Sequence, residues 1–386
     1  MFVRRSWHGS WGATMKPTAS TFLRSGIEQP ATLFRGARSG YVRGALTLAV
    51  VFSFAGISLA DEGGVSFWLP GLYGSLAAVP QAAPGWSLYT FEYYTNVSAS
   101  GSVAAARQVE IGGSTTNVNL SLSAKLQAQV DLEWVQPNFT FAAPVFGGQL
   151  TLSLGEFVGW QSANLAGTLT GTVLGGPTGV RSGSITSSVT GFSDMYPSAA
   201  LKWNDGVNNY MIYGTGDIPV GAYDSTRLAN LGIGHGAVDG GAGYTYFNPG
   251  TGREFSAVAG LTYNLENPST NYQNGVDFHL DWGASQFLSK QVFVGPVGYF
   301  YDQLSCDSGS GDRVGCFESR VVGIGPQIGY LFPIGNMQGY LNLKAYGEFD
   351  AAARPSGWNA WLTFSISPAA PAAPIPPTSS VPMVYK

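Results

Sequence analysis

Residues 117–134 of the chain alternate without a break. Val118, Leu120, Leu122, Ala124, Leu126, Ala128, Val130, Leu132 and Trp134 are apolar at the even positions. Asn117, Asn119, Ser121, Ser123, Lys125, Gln127, Gln129, Asp131 and Glu133 are polar at the odd ones. A period of two residues is the signature of a strand with one apolar face, and a helix would mix the two sets. The same grammar recurs in GVDFHLDW, with Val276, Phe278, Leu280 and Trp282 opposite Asp277, His279 and Asp281. It returns in REFSAVAGLTYNL, in YLNLKAYGEF (Leu341, Leu343 and Ala345 against Asn342, Lys344 and Glu348) and in NAWLTFSIS. Strands are expected at 86–97, 117–135, 149–160, 191–203, 208–217, 237–247, 254–265, 275–288, 291–304, 317–332, 339–349 and 358–367.

That is about twelve strands, and their connections alternate in length. The short ones are 143–148, 204–206, 248–252, 289–290 and 333–338; the long ones are 98–116, 161–190, 218–236, 266–274, 305–316 and 350–357. Short turns on one rim and long loops on the other mark an all-β fold, a transmembrane antiparallel up-and-down β-barrel over 85–367. A spanning strand needs about 9–11 residues, so the longest one projects beyond the bilayer. Residues 61–84 are too broken by proline and glycine for a membrane strand and are expected to form an N-terminal plug or a periplasmic segment. Residues 368–386 carry six prolines and read as an extended, disordered tail.

Composition agrees with the pattern. Charged residues are 11% of the chain, against roughly 25% in ordinary soluble proteins, while aromatics reach 13% and glycines number 53. Such a chain is apolar on average without long apolar blocks. The exception is ALTLAVVFSFAGIS, which follows the basic stretch Arg38–Gly44 and precedes Ser58-Leu59-Ala60. Its length and small-residue ending read as an export signal with a long leader over 1–60, rather than an anchor helix. Removing it takes away seven of the 19 basic residues and one of the 23 acidic ones, leaving a net charge near −10. Nucleic acid is excluded as a partner.

Several long stretches resemble one family. GGVSFWLPGLYGSLAAVP, YPSAALKWNDGVNNYMIYGTGDIPVGAYDSTRLANLGIGHGAVDGGAGYTY, EFSAVAGLTYNLENPSTNYQNGVDFHLDWGASQFLSK and GYLNLKAYGEFDAAARPSGWNAWLTFSISP are similar to the bacterial outer-membrane family named "Putative MetA-pathway of phenol degradation". The resemblance implies a β-barrel transporter associated with the breakdown of aromatic or other hydrophobic compounds. It supplies no catalytic residues.

Candidate chemistry is sparse. Asp277, His279 and Asp281 share one strand face, about 6.6–7 Å apart along it. They could bind a metal, but a polar lumen lining paired with Lys202, Arg320 or Lys344 across the pore is preferred, with Glu348 on the same inner surface. A lipid or ester hydrolase using His279 is the enzymatic rival; no G-x-S-x-G motif supports it. Trp86, Tyr89, Tyr93 and Tyr94 read as an interfacial aromatic girdle. Phe67, Trp68, Leu69 and Pro70 are the candidate plug and ligand-contacting residues, by analogy with channels for hydrophobic compounds.

The expected function is passive uptake of small hydrophobic, including aromatic, compounds across the outer membrane, with no cofactor and no catalysis. A closed structural or adhesive barrel is the other alternative. Implied partners are outer-membrane lipid, the machinery that assembles such barrels, and the hydrophobic substrate; the oligomeric state is unspecified. Cys306 and Cys316 fall in the fifth long loop, on the outside of the cell, where a disulfide is the expected state. Two cysteines fall short of a zinc ligand set. Closing so short a loop stabilises the fold by roughly 3 kcal/mol. Thiol-mass labelling of the unfolded, unreduced protein should find no free thiol at either position; two labelled thiols would refute the staple.

Overall fold

The computed structural model describes residues 66–111, 114–173, 178–312, 316 and 318–370. The expected export signal, the first residues of the N-terminal segment and all but the start of the expected tail lie outside the described residues. Twelve strands follow one another: β1 (Gly85–Ile111), β2 (Ser114–Thr140), β3 (Gln149–Val173), β4 (Thr178–Asp205), β5 (Asn208–Gly216), β6 (Ala237–Asn248), β7 (Arg253–Asn264), β8 (Asp277–Phe287), β9 (Val292–Gln303), β10 (Arg320–Ile334), β11 (Met337–Ala352) and β12 (Ser356–Pro368). Each pairs antiparallel with its sequence neighbours, and β12 returns to β1 from Leu88↔Ile366 to Ser98↔Ser356. The sheet is thereby a closed barrel without a free edge along that belt.

Alternation sorts the side chains. Leu152, Ile212, Leu261, Ile328, Leu343 and Leu362 lie exposed on the outer surface, whereas Asn209, Thr245, Gln303, Asn342 and Thr363 are buried inside. An apolar exterior over a polar interior inverts a soluble protein and suits a wall bathed in hydrocarbon.

Two expected loops are strand. Residues 98–111 pair with β2 as far as Ile111↔Ser114, and 161–173 pair with β4 as far as Thr172↔Thr178. Runs of alanine and interspersed glycine break the alternation there, as at Ala104–Ala106 and at Gly167 and Gly171, which is why it misses them; in water a sheet needs no apolar face, since ladder hydrogen bonds satisfy the backbone. A strand of 27 residues such as β2 is roughly 90 Å long, several times the membrane requirement. On its outer face Lys125, Gln127, Asp131 and Glu133 are exposed, so the first four strands project past the apolar belt.

Inside this projection the apolar row of β2 turns inward, with Ala124, Leu126 and Trp134 buried. The connection 217–236 folds against the same inner surface, packing Ala229 and Leu231 on Ala163 and Val189. Asp194 holds it there, accepting from the backbone N–H groups of Gly221 (2.8 Å) and Ile233 (2.7 Å). The aromatic girdle expected on β1 is split by the same alternation. Trp86 is exposed on the outside, but Tyr93 is buried and Tyr89 borders the lumen, because odd positions of β1 point inward.

Between β9 and β10 the structure joins Cys306 to Cys316, with Cα atoms 4.6 Å apart. Beside it Asp307 accepts from the Tyr272 hydroxyl, the Gly275 N–H (3.0 Å) and Gln303 Nε2 (2.7 Å), tying this connection to the one between β7 and β8.

One buried group makes the 217–236 connection sensitive to pH. Both carboxylate oxygens of Asp217 are buried without a hydrogen-bond partner among the described residues. Burial, and then the nearby Asp194 carboxylate, push the Asp217 carboxyl up to about 8. An unfolded aspartate ionises near 4, so folding stability here is full below that value and declines as pH rises towards 8. Hydrogen-exchange protection of amides 222–236, corrected for intrinsic rates, should be higher at pH 5 than at pH 9. Asp217→Asn should flatten that difference; an unchanged slope would assign it to another group.

Candidate functional site

The interior is organised around residues 66–81. Pro70, Gly71, Gly74 and Pro80 keep this stretch out of any strand, so its backbone N–H and C=O groups find no ladder. Lumen-facing side chains supply the partners instead. Asp281 accepts from the N–H groups of Gly71 (2.8 Å) and Tyr73 (3.1 Å). Lys344 Nζ donates to the carbonyls of Gly71 (2.7 Å) and Leu72 (3.1 Å). Further along, Glu254 accepts from the Leu76 N–H (2.9 Å) and Thr245 from the Ala78 N–H (3.0 Å). Lys202 Nζ donates to the carbonyls of Ala77 (2.8 Å) and Val79 (3.3 Å). Gln149 closes the series by exchanging two hydrogen bonds with the Gln81 backbone, at 2.7 and 3.0 Å.

Gly71 is where the fit is tightest. Its φ is +92°, and a Cβ there would approach the rings of Tyr299 and Tyr346 at 3.1 Å. Glycine alone meets both conditions without strain.

The row Asp277, His279 and Asp281 is buried on the inner face of β8, yet the three do not converge on a common point. Asp277 accepts from Asn264 Nδ2 (2.8 Å), Asp281 is taken by the segment, and His279 Nε2 lies 2.8 Å from Asp239 and 3.4 Å from the Tyr213 hydroxyl. The expected ion pairs with Lys202, Arg320 or Lys344 do not form. Those lysines bind backbone carbonyls, and Arg320 pairs with Asp350 at 3.3 Å on the surface. His279 reaches Asp239 across the intervening strand β7 because Gly260, its register partner, leaves the way open; a Cβ at Gly260 would sit 2.7 Å from His279 Nε2. Glu348 faces inward and accepts from the Tyr299 hydroxyl (2.7 Å) and the Gly357 N–H (2.8 Å).

The four aromatic-run residues are placed as follows. Trp68 stacks on His279 with ring centroids 3.6 Å apart and planes 11° from parallel. Phe67 packs on Tyr196, at 5.7 Å, and on Ile233 from the 217–236 connection. Leu69 borders the lumenal cavity, and Pro70 is buried. Local sequence does not set the acceptors Glu254 and Thr245 or the amide of Gln149 apart from other polar strand residues. Glu254 does sit in phase with Ser256 and Thr262 on the polar face of β7, and that phase was the available signal.

Beside the segment is a cavity of about 410 Å³. Its aromatic wall includes Phe91, Trp134, Phe157 and Tyr196, and Ser87, Gln149 and Ser367 line it where β1 and β3 begin and β12 ends. The cavity thus combines an apolar end with a polar mouth near the short-turn rim, the arrangement of a site for a small amphipathic molecule.

Asp281→Asn should weaken the docking of the segment by roughly 2 kcal/mol, since an amide cannot accept both N–H bonds with charge assistance. Faster amide exchange over residues 68–78, with the barrel strands unchanged, is the expected readout.

In structure the chain is similar to an outer membrane channel from Pseudomonas putida F1, with a TM-score of 0.50 at 12% identity over 74% of this chain and 97% of that one. That likeness is one of fold. The translocator domain of the autotransporter NalP from Neisseria meningitidis aligns over 73% of this chain and 88% of its own at 10% identity, with a TM-score of 0.26, too remote to bear on the fold. No curated protein sequence matches the chain. The model of one family matches residues 92–364, from the first strand of the barrel to the last. With so much of the closed wall inside that match, the chain belongs to the family described as "Putative MetA-pathway of phenol degradation".

Proposed function

We propose that this protein is an outer-membrane channel for passive uptake of small hydrophobic compounds, aromatic ones included, with residues 66–81 acting as the plug that makes the path narrow and selective. The observation that carries this reading is the aromatic-walled cavity of about 410 Å³ lying against that segment inside a closed barrel. Twelve strands fall between barrels filled by side chains and wide aqueous porins, so a single segment is enough to reduce the lumen to a ligand-sized space. Passage then proceeds by diffusion from the long-loop rim to the polar mouth, with aromatic rings offering successive apolar contacts. The outer-membrane location is supported by the apolar exterior and the family's description.

The surroundings of His279 favour a holding role over hydrolysis. Its ring is covered by Trp68, its Nε2 faces Asp239 and Tyr213, and among the described residues no serine hydroxyl is hydrogen-bonded to it. Acyl transfer needs a nucleophile within reach of the base.

In planar bilayers the full chain should show a small conductance, and a variant lacking residues 61–81 one several-fold larger. Proteoliposomes carrying the full chain should take up benzyl alcohol faster than empty vesicles. Equal conductance with and without the segment would overturn the plug, and uptake at the rate of empty vesicles would overturn the channel.

A further inference from the structure

The segment divides the lumen by charge. Asp239, Glu254, Asp281 and His279 lie on its β6–β8 side, and none of them borders the cavity. The charged side chains that do border it are Lys202 and Lys344, and no carboxylate lines it.

The two lysines differ in what balances them. Lys344 binds the carbonyls of the same turn whose N–H groups Asp281 holds, and it also sits 4.9 Å from the Trp361 ring centroid. A carboxylate therefore stands one peptide away from its charge. Lys202 binds the carbonyls of Ala77 and Val79 and, among the described residues, has no carboxylate within 4 Å. Neutral carbonyls hydrogen-bond an ammonium without cancelling its charge, and an ammonium withdrawn from water without a counter-ion is costly. Two of its three N–H bonds are engaged by these carbonyls, which leaves one for a ligand. On the adjoining strand the cavity is lined by Thr151 and Ser153, two and four residues beyond Gln149, the register partner of Lys202. Thr151, whose hydroxyl shares a hydrogen bond with Thr140 (2.9 Å), is the nearer of the two along the strand.

We infer that the preferred occupant of this cavity is an aromatic carboxylate. Its carboxylate rests on Lys202 at the polar mouth, and its ring points along the cavity towards the aromatic wall of Phe91, Trp134, Phe157 and Tyr196. A neutral phenol or alcohol fills the same aromatic wall but leaves the ammonium uncompensated. The charge of the whole chain, which is negative, gives no hint of this local positive site. The inference rests on the reading of the cavity as the substrate site and adds the sign of the substrate's charge to it.

The test uses the full chain purified in neutral detergent, with tryptophan fluorescence titrated by benzoate and by its uncharged counterpart benzyl alcohol at pH 7. Benzoate should bind at least tenfold more tightly. Lys202→Gln should bring the two affinities together, and Lys202→Arg, which keeps the charge, should restore most of the gap. Equal binding of both compounds to the unaltered protein would overturn the carboxylate preference while leaving the cavity as a hydrophobic site. Failure of both compounds to bind would overturn the reading of the cavity as well. A gap that persists in Lys202→Gln would remove Lys202 as the anchor.

Discussion

The wall of this protein is governed by one constraint: hydrocarbon offers no hydrogen-bond partner, so every backbone N–H and C=O facing it must be paired within the wall. A sheet meets that condition when its last strand closes on its first, as β12 does on β1. Closure then dictates the rest. Side chains alternate between lipid and lumen, apolar residues go outward, and the polar residues left inside need partners of their own. Where β1 to β4 run past the belt the constraint lapses, and the outer face becomes polar while the inner face packs on the 217–236 connection.

The lumen solves its own version of the same problem. Buried charges are expensive unless paired, and the simplest expectation pairs acid with base across the pore. Here a stretch of irregular backbone enters with unpaired N–H and C=O groups of its own. Acids take the N–H groups and lysines take the carbonyls, so Asp281, Glu254, Lys344 and Lys202 are bound to main chain rather than to each other. Backbone and side chains satisfy each other, which is why so proline- and glycine-rich a segment is ordered inside a barrel. The arrangement leaves Lys202, which borders the cavity, bound only to neutral carbonyls among the described residues, and that gives the cavity its character.

How much of this was legible beforehand follows from the range of each signal. Alternation is local, so the strands over 253–264, 277–287 and 356–368 could be read almost to the residue, and the common face of Asp277, His279 and Asp281 followed from it; the glycine-rich strand over 237–248 gives only a weak signal. Where alanine runs and glycines interrupt the pattern, as over 98–111 and 161–173, alternation vanishes and the strands read as loops. Tyr89 and Tyr93 looked like membrane-girdle residues because their side chains suit either surface, and the phase of β1 alone sends them inward.

The sequence by itself determined the fold class, the strand number and which residues share a face of each alternating strand, because these depend on the order of residues along one strand; whether a polar row faces the lumen, as in β8, or the outside, as in β2, it did not determine. It also marked 66–71 as an aromatic stretch outside the sheet. Which polar groups meet was decided by tertiary structure alone. His279 finds Asp239 two strands away only because β7 carries Gly260 between them, and Asp281 meets Gly71 across a separation of 210 residues. Partnerships of that kind depend on closure and on the path of a segment without periodicity, and neither is written in any local pattern.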